Sequence, residues 1–120
     1  MILTGKCLQD FSIWYLHKEE YSNYQIIEPY QEEVNIGLYF YEMPKSMQYG
    51  VYVDFFDSVG FELLVERSVD DDLNFINAFD WVVLNIENGN NYGGGEISDT
   101  REDARHEAVK LANEIYNFAQ

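Results

Sequence analysis

The chain has 120 residues, enough for one domain and little more. Hydrophobic residues make up 47% and aromatics 17%, so a core can form and charge-driven disorder is excluded. Twenty-two acids against seven bases leave a net charge of −15, which opposes direct binding to nucleic acid or to an anionic membrane, because both need lysine and arginine. What it favours is solubility, or a protein partner with a basic surface.

The first predicted element is a helix over Gly5–His17, with Thr4 as its cap. Cys7, Phe11, Trp14 and Tyr15 fall on one face at helical spacing. Residues 19–43 follow neither period and are broken by Pro29, so they read as a loop held down by apolar anchors, with a short helical turn at Leu38–Glu42. Pro44 suits a first helical position, where its missing N–H is no loss. Met47, Val51, Phe55 and Val59 then repeat every four residues, joined by Tyr52 and Phe56, and Gly60 supplies a left-handed stop. A second helix is therefore expected over 44–59.

Three strands come next. Phe61–Arg67 is apolar and β-branched; 69–77 is a connection carrying Asp70, Asp71 and Asp72. Phe79–Glu87 alternates, with Phe79, Trp81 and Val83 on one side. Asn88-Gly89-Asn90-Asn91 is a turn signal. Tyr92–Ser98 is a third strand, weakened by Gly93, Gly94 and Gly95. The last helix follows Thr100 as cap, with Glu102 and Asp103 at its positive end and a stripe of Ala104, Ala108, Leu111, Ala112 and Ile115. The expected architecture is one α+β domain spanning 1–120, ordered α-α-β-β-β-α, with a three-stranded antiparallel meander packed on helices.

No motif of catalysis or cofactor binding appears, and neither a catalytic residue nor a cofactor is expected. Cys7 alone allows no internal disulfide and no multi-cysteine zinc site; on an apolar helix face it reads as a small buried hydrophobe. His17 and His106 lack ligand-spaced neighbours, and His106 has Glu102 at i−4 for a surface ion pair. Asp70–Asp72, Asp54 with Asp57, and Glu87 with Glu96 could attract a hard cation, but none has the register of a calcium loop, so a metal-dependent enzyme is the least favoured reading. MILTGKCLQDF turns polar after three residues, and no apolar run approaches the roughly 20 residues of a membrane helix. A cytoplasmic location is expected.

The candidate contact surface lies in the irregular segment. Tyr21, Tyr24 and Tyr30 alternate there with Glu28, Glu32 and Glu33, flanked by further acids and by Tyr39 and Tyr41. Aromatic anchors rimmed by carboxylates would suit a basic protein surface.

Two resemblances bear on this. GGGEISDTREDARHEAVKLANEI resembles the close of a double-stranded RNA-binding domain, a family that places a lysine cluster at the start of this helix. Here that stretch is Thr100 to Arg105, with two arginines among two acids on a chain at −15, so the topology carries over and the function does not. LTGKCLQDFSIWYL, FYEMPKSMQYGVYVDFFDSVG and DTREDARHEAVKLANEIYN together resemble small phage- and prophage-type proteins of gut bacteria, a group without an established activity. That resemblance implies a cytoplasmic life in an infected or lysogenic cell. The functional expectation is a non-catalytic accessory protein acting by protein–protein contact, acidic mimicry of nucleic acid being one form of it. The alternative is a small structural homo-oligomer.

Overall fold

A computed structural model describes residues 3–17, 40–93 and 97–119. The order is helix, helix, strands, helix, and the fold is α+β: α1 Gly5–His17, α2 Lys45–Ser58, β1 Phe61–Val69, β2 Phe75–Asn85, β3 Asn91–Tyr92, β4 Ile97–Ser98 and α3 Arg101–Ala119. Among the described residues, α2 and α3 pack on one face of an antiparallel sheet whose inward side carries Phe61, Leu63, Phe79, Trp81 and Val83, and α1 packs on those two helices.

Helix α1 has the predicted bounds but not the predicted cap. Its first turn is held by α3: Asn117 Oδ1 accepts the Cys7 N–H at 2.8 Å, and Asn113 Oδ1 accepts that of Thr4 at 3.0 Å. The Thr4 hydroxyl is engaged as an acceptor for Asn113 Nδ2 at 3.0 Å and so does not cap the helix. Two asparagines one turn apart thus tie the two ends of the described chain together, where orphan N–H groups would otherwise face water.

Helix α2 begins one residue later than predicted. Pro44 is its N-cap, and its carbonyl accepts the N–H groups of Met47 and Gln48. The buried face is Gln48, Tyr49, Val51, Tyr52, Phe55 and Phe56, whereas Met47 is 55% exposed. The reason is geometric: at 3.6 residues per turn, each step of four drifts about 40° around the axis, so a strict four-residue stripe leaves the core within two steps. Gln48 repays its burial by donating to the Met43 carbonyl at 2.8 Å. Gly60, at φ +96°, ends the helix as expected.

Strands β1 and β2 pair from Phe61↔Asn85 to Arg67↔Phe79, and after a shift in register Val69 pairs with Phe75. Strand β2 therefore starts four residues before the predicted Phe79 and ends at Asn85, short of Glu87. The expected third strand is two two-residue pieces, Tyr92 opposite Val83 and Ser98 opposite Phe79. Gly93 explains the interruption after Tyr92. It sits at φ +80° against the Trp81 ring, and its conformation does not continue a strand.

The core is aromatic. Phe11 of α1 meets Phe40, Tyr52 and Phe55 with ring centroids 5.1–5.4 Å apart, the spacing at which edge and tilted contacts are favourable. Ala104, Ala108 and Ala112 let α3 lie close on β1 and β2.

Candidate functional site

The connection between β1 and β2 is shorter than predicted and sharply made. Asp70 organises it: its Oδ1 accepts the N–H groups of Asp72 at 3.0 Å and Asn74 at 2.9 Å, and Leu73 takes a left-handed φ of 64°. An aspartate bonding its own chain two residues on is the usual way to fix such a turn. The result carries large apolar side chains into solvent. Leu73 is 79% exposed, Phe75 75%, Val69 46% and Ile76 38%, and the exposed Asp71 and Asp72 stand among them. A full burial of leucine or phenylalanine is worth about 1.5–3 kcal/mol, and this tip forgoes it twice. Contiguous exposed apolar residues with a polar rim mark a contact surface.

Beside the tip lies a second feature. Phe79 is buried with two guanidinium groups over its ring, Arg67 at 4.7 Å and Arg101 at 4.8 Å from its centre. One turn along α3, Arg105 lies 5.1 Å over the ring of Tyr49. Arg67 also donates to the Ile76 carbonyl and to Asn77 Oδ1, each at 3.2 Å, which joins this face to the tip. Lys45 pairs with Glu102 at 3.0 Å, and both line a groove of about 390 Å³ together with Ser46 and Arg105. Four of the seven bases of the chain meet here. Among the described residues, none of the three arginines has an ion pair with a carboxylate, although acids outnumber bases threefold. Arg101 moreover stands at the positive end of α3, an unfavourable place for a cation. Ser68, at the register break, is buried, and its Oγ has no hydrogen-bond partner among the described residues.

The predicted contact residues Tyr21, Tyr24, Glu28, Tyr30, Glu32 and Glu33 lie outside the described residues, as do Tyr39 and Glu96. Tyr41 is in the turn before α2, its ring edge-on to Phe40 at 5.1 Å. Glu102 takes Lys45 as its ion partner rather than His106, and that lysine holds its carboxyl below the usual range. His106 lines the same region with Lys45, Glu102 and Asp103. Cys7 is fully buried, and burial, reinforced by the Asp10 charge, pushes its thiol up to about 12, so it is protonated at neutral pH and a poor nucleophile. Among the described residues no group of three or more His, Cys, Asp or Glu is placed to hold a metal ion. No described helix is long and apolar enough to cross a membrane.

Neither the tip nor the arginine face was predicted as a site. A signal for the first existed: Leu73, Phe75 and Ile76 are too apolar for the solvated connection assigned to 69–77. Arg101 and Arg105 stand one helical turn apart in the sequence, but their meeting with Phe79 and Tyr49 depends on two other elements, β2 and α2. No family model, no curated protein and no solved structure matches this chain, so its family is not identified by likeness.

Proposed function

We propose that this protein is a non-catalytic accessory protein, of the phage and prophage type its sequence resembles, that acts by docking its β1–β2 hairpin tip on another protein. The observation that carries this reading is the exposure of Leu73 and Phe75 beside Asp70, Asp71 and Asp72. The chemistry specifies the opposite surface: an apolar cleft rimmed by lysine or arginine. A charge of −15 speeds the encounter with such a surface. Burial of the two large side chains then supplies affinity.

The test is affinity capture from a bacterial extract with the wild-type chain and with L73S/F75S as paired baits. Both substitutions are at exposed positions, and circular dichroism verifies that both baits are folded. A basic protein held by the wild type at low salt and lost from L73S/F75S supports the reading. A basic protein held equally by both baits counts against it.

A further inference from the structure

We propose that the basic surface the hairpin tip fits is the arginine face of a second copy of this chain, so that two copies exchange tips in a symmetric dimer. This rests on the reading of the tip as a docking element and names its partner.

Complementarity is the first argument. The tip offers Leu73 and Phe75 with the Asp71 and Asp72 carboxylates beside them. The face offers guanidinium groups set over the rings of Phe79 and Tyr49, with no carboxylate of the same chain paired to them among the described residues. A cation–π contact uses none of the N–H groups of a guanidinium as hydrogen-bond donors to a carboxylate, so they are left for one from another chain. Each surface therefore lacks what the other has.

Placement is the second. The turn is tied down by Asp70 and by the bond from Arg67 to the Ile76 carbonyl, so tip and face are rigid neighbours at one end of the molecule. Two surfaces side by side on one end can be satisfied reciprocally when copies meet about a two-fold axis, each tip on the other's face. Such a contact closes on itself and stops at two. Repulsion between two chains at −15 opposes the approach, but at physiological ionic strength it is screened over about 8 Å, and only the contact pairs remain strong.

Sedimentation velocity and light scattering of the full chain, across a wide concentration range at physiological salt, test this with two charge reversals. R101E/R105E sets Glu against the Asp of an incoming tip; D71R/D72R sets Arg against Arg. The wild type is expected to dimerise reversibly, and each variant alone to be weakened at least tenfold. An equimolar mixture of the two variants is expected to dimerise again, because one contact is then native and the other is native with its charges exchanged; that recovery also shows that both variants are folded. A wild type that stays monomeric at the highest concentration overturns the proposal, as does a dimer that survives both reversals. Should the wild type be monomeric while L73S/F75S still loses a basic protein from extract, the dimer fails and the docking tip stands. Should L73S/F75S dimerise as tightly as the wild type and hold the same basic proteins from extract, both fail.

Discussion

Gly93 and Gly50 are the same residue type with opposite consequences. A Cβ on Gly93 would stand 2.3 Å from the Trp81 ring, at a φ of +80° that disfavours any side chain. Trp81 is a buried residue of the inward sheet face and cannot withdraw. Gly93→Ala is expected to lose roughly 2–4 kcal/mol, the sum of backbone strain and overpacking. Gly50 lies on the exposed side of α2 with nothing within 4 Å of a Cβ. Gly50→Ala is expected to gain about 0.5–1 kcal/mol by lowering the backbone entropy of the unfolded chain. Urea unfolding of both variants checks the two signs. Sequence alone marks both as glycines within predicted elements; only the neighbouring ring separates them.

Between elements, α1 and α3 are joined by side chains rather than by an apolar stripe alone. The Tyr116 hydroxyl donates to Asp10 Oδ2 at 2.5 Å, and Lys6 lies 3.1 Å from Oδ1. These two partners hold the Asp10 carboxyl below its ordinary value, Tyr116 having the larger effect. A depressed folded value means that stability is present above the unfolded pKa of about 3.8 and is lost as the pH falls through the lower folded value. Tyr116→Phe is therefore expected to destabilise at pH 7, by about 1 kcal/mol or less because Asp10 is partly solvated. The gap from wild type should narrow as the pH drops below 4. Urea midpoints from neutral to acid pH measure it; a gap that widens toward acid would contradict the assignment. Element order, the bounds of α1, the Gly60 stop and the Thr100 cap on the Asp103 N–H were legible because each depends on residues close in sequence. The α1 cap was not, since Asn117 is 110 residues from Cys7.

For the molecule as a whole, like charge is a burden that the fold spreads over its surface, while most of its few bases are concentrated. Acids face solvent over most of the described surface, while four bases gather at one end. Self-repulsion of a chain at −15 destabilises the compact state, and added NaCl screens it, the Debye length falling from about 30 Å at 0.01 M to about 10 Å at 0.1 M. The urea midpoint is expected to rise across that range, measured at low protein concentration so that association does not contribute. A midpoint that falls with salt would mean that favourable ion pairs outweigh repulsion.

Composition, period and turn chemistry by themselves determined the α+β class, the order of helices and strands and most of the apolar faces. These follow from interactions within a few residues and from the separation of apolar from polar positions. Tertiary structure alone decided where the candidate site lies. Exposure of Leu73 and Phe75 is a property of a finished hairpin, set by a register break and an Asp70 turn. The arginine face exists only because β1, β2, α2 and α3 bring Arg67, Phe79, Tyr49, Arg101 and Arg105 together from four stretches of chain. A charge balance counts residues but carries no positions, and so an acidic chain could hold a basic face that its composition hid.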